Sequence, residues 1–168
     1  MRKDWITTNI GNCFMTTSGG TPNRNKIEFY QGNIPWVKSG ELKYNVIKNT
    51  DEKISEKALK NSSAKIFPKG TLLIALYGAT IGKLGILGID ASTNQAVCGI
   101  IKNPNIKSEY LYYILLFKQN KLIEQGTGGA QPNISQTILK KLPFPLPPLP
   151  EQRAIVSKID QLFSELDN

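Results

Sequence analysis

Three side chains could organise phosphodiester chemistry: Glu41 and Lys43, two positions apart, with Glu28 upstream. Two carboxylates on adjacent strands can hold a divalent cation, and a lysine beside them steadies the attacking water. Here Pro35 and Gly40 interrupt the intervening chain, and a glutamate stands where such centres carry an aspartate. Three residues at so loose a spacing arise often by chance. A small metal-dependent nuclease built on Glu28, Glu41 and Lys43 therefore remains an alternative, and a surface loop explains these residues better.

Other chemistries fall away on composition. The chain has no histidine, which removes Ser-His-Asp and Cys-His nucleophile pairs and zinc-protease helices. Its two cysteines, Cys13 and Cys98, form no CxxC pair, lie among apolar neighbours, and read as buried thiols. Asn103-Pro104-Asn105-Ile106 is not the loop that grips a flipped base for methyl transfer. Gly128-Gly129 matches neither a P-loop nor a dinucleotide fingerprint, and reads as a hinge between helices. The expectation is a chain with no catalytic residue, metal or cofactor of its own.

Charge points elsewhere. Lys and Arg number 21 against 13 Asp and Glu, a net charge of +8. Such a surplus favours polyanions through counterion release, although genome base composition can also enrich lysine. Eight lysines lie between Lys38 and Lys69 against four acids. Long polar side chains stand in glycine-rich, loop-like settings: Asn23, Arg24, Asn25, Thr80, Lys83, Asn94, Gln95, Gln131 and Asn133. These are the residue types that grip phosphates and reach base edges. A plain protein-interaction module, using the last helix and the proline strip before it, is the non-DNA alternative.

The elements that must position these residues follow from pattern. The 168 residues fit one ordinary domain with a short appendage. Cys13 to Thr17 reads as a strand, and Ser18-Gly19-Gly20-Thr21-Pro22-Asn23 as a break. Asn33 to Lys38 reads as a short strand that Pro35 assigns to a sheet edge. Ser55 caps a helical turn ending at Lys60. Thr71 to Tyr77 is an apolar run suited to a strand covered on both faces, and Gln95 to Ile101 supplies another. Ser108, as cap, opens the clearest helix, with Leu111, Ile114, Leu115 and Leu122 on one face, and Ser135 caps a shorter one. Leu142 to Pro150 predicts stiff extended chain that divides a globular unit, 1–149, from a helix, 150–168. In that helix Ile155, Ile159, Leu162 and Leu166 form a coiled-coil seam needing a partner outside the helix. The fold class is mixed α/β: a twisted sheet with short helices, then a coiled-coil-type helix. No stretch is apolar enough to span a membrane, and Met1 to Trp5 lead into no signal-peptide core, so a cytoplasmic protein is expected.

Several segments, in order, resemble the specificity subunit of type I restriction–modification systems. They are Ser18-Gly19-Gly20-Thr21-Pro22, Gly32 to Leu42 (with Ile34-Pro35-Trp36-Val37-Lys38-Ser39-Gly40-Glu41), Leu76 to Lys83 and Thr93-Asn94-Gln95-Ala96. Gly129-Ala130-Gln131-Pro132-Asn133-Ile134-Ser135 and Pro145 to Gln152 complete the set. The resemblance implies one target-recognition domain followed by the start of a conserved-region helix. It implies reading one half of a split site on double-stranded DNA. It also implies docking to a methyltransferase subunit that brings S-adenosylmethionine, and through it to a restriction subunit that brings ATP hydrolysis. With a single recognition domain here, a homodimer through the last helix is one expected arrangement. The expected DNA contacts are Arg24, Lys38, Lys60, Lys83, Gln95, Gln131 and Asn133. Of these, Lys38, Lys83 and Gln131 suit the backbone, and Arg24 suits a guanine edge.

Overall fold

The computed structural model describes residues 4–126 and 132–166. Its centre is the apolar run, which forms β6 (Leu72–Ala75), buried at every residue. β6 pairs antiparallel with β9 (Val97–Ile100) on one side and β7 (Leu84–Leu87) on the other. β2 (Thr16–Ser18) extends the sheet beyond β9, and β4 (Asn45–Ile47) closes it, parallel to β7. Alternation along β6 sends Leu72 and Ile74 into one core, and Leu73 and Ala75 into another on the opposite face. The doubly covered strand expected from the sequence is therefore what the fold contains.

The first face carries the helices α1 (Ile10–Cys13), α3 (Ser108–Gln125) and α4 (Gln136–Lys141). Cys13 closes α1, so the strand expected from Cys13 starts only at Thr16. Gly11 permits this by close packing of α1 on α4: a Cβ there would lie 3.0 Å from that of Lys140. Ser135 caps α4 as expected, its hydroxyl accepting the Ile138 N–H. α3 differs at its start. Lys107 occupies the cap position without a side-chain bond, and the Ser108 hydroxyl instead donates to the Gly70 carbonyl at 2.8 Å. Burial takes Cys98 off the ordinary thiol range, up to about 12.

A smaller sheet, ordered β5 (Glu52–Ile54), β3 (Ile34–Val37), β8 (Ser92–Thr93), lies beside the first. Pro35 therefore sits on a central strand rather than an edge. The strand tolerates it because β8 is two residues long and pairs only with Trp36 and Val37, leaving Pro35 beyond that ladder. Ser55 caps α2 (Glu56–Lys60) by accepting the Ala58 N–H, and Phe29, Trp36, Ile54, Ala58 and Ala64 form a third core.

The proline strip is neither free nor a spacer. Pro143–Leu146 forms β10, paired antiparallel with β1 (Ile6–Asn9) in a separate two-stranded sheet. α5 (Leu149–Leu166) follows and docks on the domain, with Pro150 in its first turn. Gln152, 1% exposed, holds it. Its Oε1 accepts the Lys107 N–H at 2.9 Å, while its Nε2 donates to the Pro147 carbonyl at 3.0 Å. Val156 enters the core, and Phe163 stacks on Tyr113 of α3. The expected seam splits accordingly: Ile155 and Ile159 are half-buried, whereas Leu162 is 48% and Leu166 80% exposed.

Gln152 gives the fold its test. Leucine keeps a similar volume but strands the Lys107 N–H and the Pro147 carbonyl. The Gln152→Leu variant should lose about 2–3 kcal/mol of stability in urea unfolding. A loss below about 0.5 kcal/mol would mean the amide is not what fixes α5.

Candidate nucleic-acid interface

Strand direction gathers the polar loops at one end of the molecule. β2 ends where β9 begins, β9 and β7 run antiparallel to β6, and β4 starts beside the start of β7. The loops after Ser18 and after Ala75, the turn 94–96 and the residues before Asn45 therefore share that end. The small sheet joins them: the Asn94 N–H donates to the Val37 carbonyl, so Lys38, at the end of β3, lies beside the turn. Glu52 begins β5 directly opposite Trp36.

Arg24 occupies the corner of this end. Its Cζ lies 4.3 Å from the ring centre of Tyr30 and 4.8 Å from that of Trp36. Nη1 and Nη2 both donate to Glu52, the second at 3.5 Å to Oε1. Lys38 Nζ donates to the same carboxylate at 2.9 Å and lies 3.9 Å from Asp51. The bonds from Arg24 and then Lys38 hold the Glu52 carboxyl below its ordinary pKa. The rings also anchor the loop that carries Arg24. Trp36 Nε1 donates to the Gly20 carbonyl at 3.1 Å, and the Tyr30 hydroxyl donates to the Pro22 carbonyl at 2.6 Å. Asn23 Oδ1 accepts the Asn25 N–H, tightening the same turn.

Beside this corner opens a hollow of about 530 Å³ lined by Lys38, Glu41, Lys43, Asn45, Asn49 and Asp51 among others. Glu41 holds its rim together. Its Oε2 accepts the Lys38 N–H at 2.7 Å and its Oε1 accepts the Asp51 N–H at 3.0 Å. Glu28 pairs instead with Lys57 at 3.4 Å. The two carboxylates thus serve different partners, and among the described residues no group of three His, Cys, Asp or Glu is placed to hold a metal. The nuclease arrangement that the sequence left open is not assembled.

Of the other expected contacts, Lys83 is half-buried in the loop between β6 and β7, where Gly78 and Gly82 adopt φ of +80° and +77°. Gln95 is exposed in the turn 94–96 and accepts a hydrogen bond from Thr21. Asn133 is exposed and bridges to Tyr77, and Ile134 N–H donates to the Leu76 carbonyl, bringing this segment to the same end. Gln131 lies outside the described residues. Lys60 does not join the group: it closes α2, which leaves from the opposite end of β5. Among the described residues Lys43, Lys60 and Lys83 enter no ion pair. Sequence reasoning missed Glu52, Tyr30 and Trp36 as the seat of Arg24. The one available signal was that two aromatics, Tyr30 and Trp36, follow the loop arginine closely; Glu52, 28 residues on, left none.

The type I restriction modification DNA specificity domain model matches residues 2–168. The chain is 32% identical to the type I restriction enzyme MjaIX specificity subunit of Methanocaldococcus jannaschii, over 99% of this chain and 39% of that protein. It is 28% identical to the EcoR124I/EcoR124II specificity subunit of Escherichia coli, over 98% of this chain and 42% of that one. The fold is similar to that of the HsdS subunit from Thermoanaerobacter tengcongensis, with a TM-score of 0.79 over 99% of this chain and 39% of that one at 18% identity. The chain spans about two-fifths of the length of these relatives.

Glu41 offers a direct check on the rim. Glu41→Ala frees two backbone N–H groups, so stability should fall by about 1–2 kcal/mol in urea unfolding. Plasmid nicking in Mg²⁺ should be absent from wild type and variant alike. Nicking that disappears on this substitution would restore the nuclease reading.

Proposed function

The chain belongs to the type I restriction modification DNA specificity family, and we propose that it reads one half of a bipartite sequence on double-stranded DNA within a restriction–modification assembly. The observation that carries this reading is the loop-bearing end, which presents Arg24, Lys38, Lys83, Gln95 and Asn133 on the scaffold of that family. Lys83 touches the phosphate backbone, Gln95 and Asn133 set the register, Arg24 reaches a base edge, and Lys38, paired with Glu52 and Asp51, braces the corner from which Arg24 reaches. Lys60 is peripheral to this surface, and Gln131, two positions before Asn133 in the sequence, contributes to the backbone contact. The chain performs no reaction itself. A methyltransferase subunit supplies methyl transfer and a restriction subunit joins through the complex, so S-adenosylmethionine and ATP belong to those partners. The reaction takes place in the cytoplasm; no helix among the described residues is long and apolar enough to cross a membrane.

The second half of the site is reached through α5. The exposed end of its seam, Leu162 and Leu166, beside half-exposed Phe163, suits the same helix of a second copy lying antiparallel. Two recognition surfaces would then face a palindromic split site, because symmetric proteins match symmetric half-sites. The methyltransferase subunit completes the packing of so short a seam.

Two measurements test this reading. Duplex DNA should bind the single chain at roughly 10⁻⁴–10⁻⁶ M at physiological salt, weakening as salt rises. Lys83→Ala should weaken all sequences alike and reduce the log–log salt slope by about 1. A flat salt response would remove phosphate contact from the proposal. In sedimentation at high protein concentration, Leu162→Asp and Leu166→Asp should shift a wild-type dimer to monomer. Identical monomers throughout would exclude self-association by this seam.

A further inference from the structure

Resting on the DNA-recognition reading above, we propose that Arg24 and Glu52 form a guanine-reading subsite, in which Glu52 positions Arg24 and turns it away from phosphate. A guanidinium carries five N–H donors in one plane. Glu52 engages both Nη atoms end-on, which occupies two of them. The parallel pair on the remaining edge, Nε–H and the outer Nη2–H, points along a direction that the carboxylate fixes. Two parallel donors match O6 and N7 of guanine, the pair of acceptors that the major-groove edge of no other base offers.

The seat is rigid on every side. Trp36 and Glu52 are direct cross-strand partners, so the ring beneath the guanidinium and the carboxylate at its end come from one ladder position. Tyr30 meets Trp36 edge-on, with centroids 5.8 Å apart, and the guanidinium lies against both rings. Those rings hold the backbone of the loop that carries Arg24 at Gly20 and Pro22. The side chain is nonetheless half open to solvent, at 51% exposure. A locked donor edge at an accessible corner suits readout of a rigid partner.

Charge decides between the base and the phosphate. An unpaired arginine at this end would be drawn to the DNA backbone. Here Glu52 and the neighbouring Asp51 offset Arg24 and Lys38, so the corner offers an anionic phosphate little net attraction. Hydrogen bonding to the neutral acceptors of a base survives that neutralisation. The carboxylate thereby removes the competing, sequence-blind use of the same arginine.

The test is selection from a pool of duplexes with randomised sequence, by the whole chain, followed by sequencing of the bound fraction. The wild type should enrich a motif with an invariant G·C pair at one position. Arg24→Ala and Glu52→Gln should both lose the preference at that same position, by roughly tenfold or more, while keeping the others. Glu52→Asp should restore part of it; Arg24→Lys should not, because an ammonium lacks the fork. Glu52→Gln should bind non-selected DNA at least as tightly as wild type while keeping the wild-type circular dichroism spectrum, which separates lost readout from lost fold. A wild-type motif that Glu52→Gln preserves would overturn the positioning role alone. Loss at different positions in the two variants would overturn the shared subsite. A wild type that enriches no motif would overturn the recognition reading, and this proposal with it.

Discussion

The arrangement depends on one close approach of backbone to backbone. The Gly19 N–H donates to the Val97 carbonyl at 3.0 Å and the Gly20 N–H to the Thr93 carbonyl at 2.9 Å. A Cβ on Gly19 would sit 2.2 Å from the Thr93 carbonyl oxygen, and one on Gly20 within 2.4 Å of the Ser63–Ala64 backbone. No side chain fits either position without moving main chain. This crossing joins β2 of the large sheet to β8 of the small one. From it the Arg24 loop sets out, already tied down at Gly20 by Trp36. Rigid delivery of the loop is thus a consequence of sheet packing and owes little to the loop's own composition.

Given that frame, the acids at the loop-bearing end make physical sense under the proposed function. Net positive charge alone would give strong, indiscriminate attraction to phosphate. Glu41 spends both oxygens on backbone N–H groups and Glu52 spends its own on two cations. Each carboxylate fixes geometry while lowering the local potential. Lys43 and Lys83, in no ion pair among the described residues, keep their full charge, which the proposed function would direct to the DNA backbone. Attraction and orientation are therefore assigned to different residues at the same end.

What the sequence made legible was local or strongly patterned. β6 followed from an unbroken apolar run, and the Ser55 and Ser135 caps from residue type at a helix start. The loop residues were legible as a set, since glycine and proline mark the turns that hold them. The misses all concern contacts between distant segments. Pro35 suggested an edge because the length of β8 is invisible in the pattern around Pro35. Glu52, 28 residues from Arg24, meets it only after β5 is laid against β3. The proline strip suggested a spacer because its partner, β1, lies at the far end of the chain.

The last of these misses changes how α5 is understood. A helix held off by a stiff spacer could point in many directions, and a seam on it would fix little about the loop-bearing end. Gln152 excludes that freedom. Its amide bonds the start of α3 and the preceding proline turn in one buried site, and a buried polar group of this kind fixes register more than it adds stability. Val156 and the Phe163–Tyr113 stack then set the helix rotation. The outward positions, Leu162 and Leu166, are consequently presented in one orientation relative to the sheets. Whatever covers them inherits a defined angle to the Arg24 corner. In the dimer proposed above, a short seam that binds weakly would therefore still determine the spacing of two half-sites, because geometry is supplied by the domain and only closure by the partner.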